Sequence, residues 1–394
     1  MKIVMTGGGS GGHITPILAV AAEIKRLNSD AEIIYIGQRG DKLSDVPAAD
    51  PNISAVYTVS AGKFRRYADE GWQQWLNVYV QFLNMRDALR TLRGTWQSYW
   101  LLRKLKPAVV FTRGGFVSVP VALGGHLNHI PYITHDSDSV PSLANRLIAR
   151  FAHTHAVALP PEVYPYPLSK TVMVGVPVSD NYRPVTDRLR QRYRKELGLT
   201  CGQMVFLTGG GNGARVLNEA LVANTRYLLA TYPDLAIVHV AGRTLEAETV
   251  AAYDALGLGK ARGRVHVHGF VTDLYRYSGA ADVVVARGGA TNLAEFAQQQ
   301  LACVIVPAPH LSGSHQVKNS LAYAKRGAIV QLTELQVEQP ERLGRTIGEL
   351  LENSAKRQAL AKKLSAYAHP QAAYELANLL LKIAGGAGYV PAKQ

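Results

Sequence analysis

The chain has 394 residues, 47% of them apolar and 18% charged, with a formal net charge of +14. This length exceeds one ordinary core and points to two domains, and the composition excludes a disordered chain. No apolar run is long enough to span a bilayer. The opening "MKIVMTGGG" reads as a strand ended by glycine rather than as a secretory leader. Two cysteines, Cys201 and Cys303, stand far apart without CxxC spacing and read as buried thiols, not as a disulfide or a metal site. The compartment expected is the cytoplasm. The positive charge calls for nucleic acid, anionic lipid or a diphosphate substrate, and nucleic acid is the weakest of these without a zinc-finger, RRM or KH pattern.

In chain order, "KIVMT" predicts a buried strand, "GGGSGGH" a glycine turn, and "PILAVAAEIKRL" a helix with Pro16 in its first turn. "AEIIYIG", "AVVFTRG", "YITHD" and "HAVALP" are further strands, alternating with helical stretches such as "PSLANRLIARFA". After "VGVPVSDNYRP" the plan repeats: "TDRLRQRYRKELGL" leads to the strand and glycine turn of "MVFLTGGGNGARVLNEAL". The strands "AIVHVAG", "RVHVHGF", "DVVVARG" and "ACVIVPA" follow. The alternation predicts two α/β, doubly wound Rossmann-like domains facing a cleft. Their expected limits are 1–178 and 179–369, with a closing helix at about 370–386 that could pack back on the first, and a fraying tail.

Residues 63–106 break the rhythm. They hold all four tryptophans (Trp72, Trp75, Trp96, Trp100) with Phe64, Tyr67, Tyr79, Phe82 and Tyr99, interleaved with Lys63, Arg65, Arg66, Arg86, Arg90, Arg93, Arg103, Lys104 and Lys106. Trp72, Trp75, Leu76, Tyr79, Phe82 and Leu83 share one helical face. One reading is a helix packed on the core with a solvated basic face. The other is a surface that meets anionic lipid, and the gathering of every tryptophan favours it for part of the segment.

Glycine lets backbone N–H groups approach a ligand, and at a helix N-terminus these groups favour an anion. Gly7, Gly9 and Gly12 fit G-x-G-x-x-G. A nicotinamide site, however, wants an acid at the end of the second strand, where this chain has Gly37 and Gln38. Two such loops, "GGGSGGH" and "GGGNGAR", suit instead a bulky diphosphate donor on one side and an acceptor on the other. His13 could take a proton from an acceptor hydroxyl, or it could merely hydrogen-bond its own loop. In "ARGGATNLAEFAQQQ", Glu295 falls about one and a half turns into a helix after Gly288 and Gly289.

The motifs "GGGSGGHITPILAVA", "RGGFVSVPVALGG", "HDSDSVPSLANRLIA", "TGGGNGARVLNEAL", "ADVVVARGGATNLAEFA" and "SGSHQVKNSLAYAKRGAIV" together resemble the MurG family. These are peptidoglycan N-acetylglucosaminyltransferases of the GT-B class, and the resemblance runs from residue 1 to about 335. It implies transfer of N-acetylglucosamine from UDP-GlcNAc to the 4-hydroxyl of a lipid-linked muramoyl diphosphate (lipid I), with inversion, giving lipid II for the cell wall. The first domain would take the acceptor and the second the donor. Glu295 would hold the ribose hydroxyls, Gln316 and Asn319 the sugar hydroxyls with His315 beside them. Gly210, Gly211, Asn212 and Gly213 would lie against the donor diphosphate, the backbone around Phe270 against uracil, and Gly289, Ala290 and Thr291 along the donor. His13, Gly9, Ser10, Gly11 and Gly12, with Asp138 and Asn145, would face the acceptor. The resemblance also implies no bound metal or other cofactor, and a place on the inner face of the cell membrane, with segment 63–106 on anionic lipid.

The chain departs from the family in four places, one of them the stretch 63–100, which looks longer than the family's usual segment. His135-Asp136-Ser137-Asp138 stands where the family has H-E-Q-N. Ser179 takes an arginine position, with Arg183 as a candidate substitute. Gly211-Asn212 replaces Ser-Gln. A transferase acting on another lipid, such as diacylglycerol, and a UDP-sugar-binding protein without turnover remain as alternatives. A nonhydrolysing epimerase shares the architecture, but its paired cleft acids are not identifiable here.

Overall fold

In the strand Lys2–Thr6 (β1), Ile3 and Met5 enter one buried cluster and Val4 another. A strand buried on both faces needs apolar residues at every position, which is why "KIVM" runs unbroken. The computed structural model describes residues 1–8, 11–41, 43–63, 78–258, 263–311 and 314–385. The chain divides into two units: Met1–Ser179 together with the segment from His369, and Asp180–Ala368.

In the first unit β1 is joined by Glu32–Gln38 (β2), Ala55–Val59 (β3), Val109–Thr112 (β4), Tyr132–Asp136 (β5), Thr154–Val157 (β6) and Thr171–Met173 (β7). All pairings are parallel, in the order β3-β2-β1-β4-β5-β6-β7. One face is covered by helix Gly11–Leu27 and the closing helix Ala372–Gly385, whose Leu376, Leu380 and Leu381 share a cluster with Ile17, Val20 and Ile24. The second unit has Gln203–Thr208 (β8), Leu235–Val240 (β9), Val265–His268 (β10), Val283–Ala286 (β11), Cys303–Ile305 (β12) and Val330–Gln331 (β13). These are again parallel, in the order β10-β9-β8-β11-β12-β13. Two parallel-sheet, Rossmann-like units are therefore present, as the alternation predicts.

Three differences from the sequence reading have local causes. Helix Gly11–Leu27 begins five residues before Pro16, so the proline lies inside it and not in its first turn. Without an N–H, the proline leaves the Gly12 carbonyl four residues back without its helical donor. "PSLANRLIARFA" is α-helical only from Leu143 to Ile148, capped by Ser142, whose hydroxyl accepts the Asn145 amide, and tightens to a 3-10 turn over Ala149–Phe151. Strands β3, β7 and β13 are edge or near-edge strands of two to five residues, too short for their periodicity to stand out. The two cysteines are free, Cys303 buried and Cys201 half-buried. The tail beyond Gly385 lies outside the described residues.

Helix Val78–Leu105 is inverted relative to an ordinary surface helix. It buries Val80, Asp87, Thr91, Gly94, Ser98 and Leu102, a mostly small and polar face, and it packs on helix Ser118–Leu127. Gly94 lies so close to the Ser60 carbonyl that no side chain fits there. The outward face carries Val78, Tyr79, Phe82, Met85, Leu89, Leu92, Trp96 and Trp100, each 52–81% exposed. The packed-core reading therefore fails for Tyr79, Phe82, Trp96 and Trp100. Phe64, Arg65, Arg66, Tyr67, Trp72, Trp75 and Leu76 lie outside the described residues. No described helix is long and apolar enough to cross a membrane.

Candidate active site

In an open parallel sheet, ligands gather at the carboxyl ends of strands where the order reverses. The first unit reverses between β1 and β4, and the first glycine loop leaves β1 at that point. Tyr35, from β2, donates its hydroxyl to the Gly7 carbonyl, which ties the start of the loop to the sheet. Gly11, Gly12 and His13 form the first turn of the following helix, while Gly9 and Ser10 lie outside the described residues. The half-buried His13 ring places Nδ1 3.2 Å from the Arg113 carbonyl. A carbonyl only accepts, so Nδ1 carries the hydrogen, and in the neutral form of the ring the lone pair then falls on Nε2.

At the next strand ends stands the H-D-S-D run. His135 is buried, with Nε2 2.8 Å from the Gly175 carbonyl. Burial, helped by the neighbouring Arg113 charge, holds it neutral, well below the usual histidine range. Asp136 accepts the Tyr166 hydroxyl at 2.7 Å and the Ser142 amide at 3.2 Å, and burial raises its carboxyl despite these donors. Asn145 is fully buried and donates to the His135 carbonyl at 2.9 Å. Its side chain fixes this turn from within. Asp138 is half-buried.

The second unit reverses between β8 and β11. Gly213, with φ +76°, packs directly on the Ala241 carbonyl beyond β9, a conformation and a closeness that only glycine tolerates. Its N–H donates to the Gly210 carbonyl at 2.9 Å. Gly211 and Asn212 form the partly exposed tip, ahead of helix Arg215–Thr231. Beyond β10, Phe270 carries the Arg243 guanidinium 4.4 Å from its ring centre. After β11, Gly289 caps helix Ala290–Gln299, and a Cβ placed on Gly288 would meet the Gln316 carbonyl at 2.9 Å. That contact brings Gly289, Ala290 and Thr291 beside the first turns of helix His315–Lys325. There Gln316 Oε1 accepts the Ala308 amide at 3.0 Å, and Asn319 is buried.

Glu295 is 5% exposed. Burial pushes its carboxyl up to about 8, against the pull of the Tyr182 hydroxyl that donates to it. Tyr182 is itself buried, edge-on to Tyr275 at 6.0 Å. The sequence reading missed both Tyr182 and Arg113. Tyr182 has no local signal, because its partner is more than a hundred positions away. Arg113 does have one: a cation between the strand Val109–Thr112, apolar but for its last residue, and two glycines. Arg183, the suggested substitute for an arginine at 179, is exposed.

Two parallel-sheet, Rossmann-like units with glycine loops at their switch points define the GT-B class of fold. The chain belongs to glycosyltransferase family 28: the N-terminal domain of that family matches residues 3–157 and the C-terminal domain residues 204–376. It is similar to the UDP-N-acetylglucosamine--N-acetylmuramyl-(pentapeptide) pyrophosphoryl-undecaprenol N-acetylglucosamine transferase of Moorella thermoacetica, 32% identical over 97% of this chain and 99% of that one. An enzyme of the same name, numbered 2, from Bacillus cereus is 32% identical over 92% of this chain and 95% of the relative. Among solved structures, Acinetobacter baumannii MurG aligns over 97% of this chain and 99% of its own, with a TM-score of 0.65 and 24% identity. The UDP-GlcNAc 2-epimerase of Neisseria meningitidis, bound to UDP-GlcNAc, gives 0.64 and 12% over 97% and 100%. These structural likenesses establish the shared fold. The resemblance to the MurG family is borne out.

Proposed function

We propose that this chain is an inverting hexosyltransferase that moves N-acetylglucosamine from UDP-GlcNAc to the C4 hydroxyl of lipid I, giving lipid II for peptidoglycan. The observation that carries the proposal is the near-full-length kinship with transferases named for that reaction, joined to a glycine loop at the switch point of each sheet. In the first unit, Gly9, Ser10, Gly11 and Gly12 cradle the acceptor diphosphate, Asp138 stands beside it, and Asn145 holds the adjoining turn. His13 Nε2 takes the proton of the attacking hydroxyl. The oxygen attacks C1 from the face opposite UDP, the C1–O bond to the diphosphate breaks, and the configuration inverts.

In the second unit, Gly210, Gly211, Asn212 and Gly213 hold the donor diphosphate and offset the charge that grows on departing UDP. The backbone around Phe270 meets uracil, and Glu295 accepts the ribose hydroxyls. Gln316 and Asn319, with His315, take the sugar hydroxyls beside Gly289, Ala290 and Thr291. The proposed reaction uses no metal, since loop N–H groups and helix N-termini do the electrostatic work. The exposed face of helix Val78–Leu105, rich in aromatics and flanked by Arg90, Arg93, Arg103 and Lys104, rests on anionic lipid at the inner face of the cell membrane.

The deciding experiment incubates purified protein with UDP-GlcNAc and a short-chain lipid I analogue, following disaccharide product and released UDP together. Product with matching UDP release is expected. UDP release with diacylglycerol but not with the lipid I analogue would replace the acceptor, and UDP binding without turnover on either would leave a binding protein.

A further inference from the structure

We propose that Arg113 is a positioning residue of the acceptor side, the buried cation that lets a site bearing Asp138 receive a diphosphate. The proposal rests on the acceptor reading of the first unit and adds to it a residue and a reason. Arg113 follows β4 at the switch point. Its N–H donates to the Thr6 carbonyl at 2.9 Å, and its own carbonyl receives His13 Nδ1 at 3.2 Å. The same backbone unit therefore joins β1 to the imidazole. The side chain turns inward, 5% exposed, and Nη2 donates to the Ser137 hydroxyl. Asp138 and Asp136 both lie within electrostatic reach of the guanidinium, Asp138 the stronger of the two.

The chemistry asks for such a partner. Asp136 has donors of its own in Tyr166 and Ser142, and it is spent on holding the loop and helix that follow β5. Asp138 stands where the family carries a neutral amide, so its charge meets the incoming diphosphate with the same sign. A buried arginine keeps its proton even where burial opposes it, and in a medium of low polarity its field reaches several ångströms. It cancels the acid's repulsion without occupying the space the acceptor needs. The role is indirect, since the guanidinium acts through Asp138 and Ser137.

The test is a double-mutant cycle on the full chain, with the donor and the short-chain lipid I analogue varied separately. Arg113→Gln is expected to raise the acceptor KM at least tenfold while the donor KM stays within twofold. Asp138→Asn alone is expected to lower the acceptor KM. In the Arg113→Gln/Asp138→Asn chain the acceptor KM should return to within threefold of the parent, a rescue that a purely structural arginine would not allow. An unrescued double variant, or equal rises in donor and acceptor KM, overturns the proposal. Should Arg113→Gln lose its thermal unfolding transition, Arg113→Lys decides. A KM within threefold supports the charge role, and a tenfold rise with the charge retained overturns it. Failure of the acceptor reading shows separately, as a parent enzyme that does not use the diphosphate-linked acceptor at all.

Discussion

The imidazole of His13 is oriented by a main-chain carbonyl, as the 3.2 Å contact to Arg113 shows. A main-chain partner sets the tautomer without adding charge beside an anionic acceptor. His13→Ala should lower kcat by about 10²–10⁴-fold, the range for loss of a general base, with the donor KM within about twofold; initial rates check both. A small effect on kcat would remove the base assignment. Glu295 carries the clearest dependence on pH. Its folded value of about 8 lies above the ordinary 4.5, so the folded chain binds this proton more tightly than the unfolded one. The stability this contributes is complete below pH 4.5 and is lost as the pH rises through about 8. Glu295→Gln should flatten that decline by up to about 1.4 kcal/mol per pH unit, read from urea unfolding at several pH values. Because the carboxylate form best accepts ribose hydroxyls, UDP should bind more tightly as the pH rises through the same window. Tyr182→Phe removes a hydrogen bond to that carboxylate and should move the calorimetric binding limb to higher pH; an unmoved limb would detach Tyr182 from the donor site.

At the scale of single elements, helix Val78–Leu105 separates packing from surface chemistry. Its inward face is held by close backbone approach of Gly94 to Ser60 and of Asp87 to Gly62, while the Asp87 carboxylate pairs with Arg86 and Arg90 of the same helix at 3.3 Å each. Its aromatics pack on one another, Trp96 stacked on Tyr99 at 5.9 Å and Trp100 edge-on to Tyr99 at 5.3 Å. Such an apolar stripe on a basic helix has the composition of a membrane-surface element. Replacing Phe82, Leu89 and Trp96 together by serine should abolish co-sedimentation with anionic vesicles and leave the thermal midpoint within about 2 °C, since exposed sites away from packing change stability little. Unchanged vesicle binding would turn the stripe toward another partner. The 3.6-residue periodicity of this helix is legible in the sequence, but which face looks inward is not. Hydropathy alone would have buried the tryptophans, and the close approach of Gly94 to the Ser60 carbonyl and the Pro120 ring decides otherwise.

For the molecule as a whole, the chain returns at its end to the first unit. Leu376, Leu380 and Leu381 are fully buried among side chains of the first helix and sheet. Leu380→Ala should therefore cost about 2–5 kcal/mol, the range for emptying a buried leucine site, and calorimetry should show the loss in one of two transitions if the units unfold separately. A loss shared equally by both transitions would contradict that assignment.

Short-range physics made much of this protein legible. Unbroken apolar strands, glycine turns and helical periodicity declared two parallel α/β units, and the missing acid after β2 removed the nicotinamide reading. The positions of both glycine loops, of Glu295 in its helix and of the departures at 136–138 could also be read directly. What only the tertiary structure decided lies in contacts between residues far apart in the chain. Tyr182 reaches Glu295, Arg113 stands between His13 and Ser137, and Asp136 answers Tyr166. Residues distant in sequence meet only when the sheet order places their strand ends side by side, and no local preference encodes that order. The same holds for the inverted helix, because burial belongs to a neighbour's surface and not to a residue's own hydropathy.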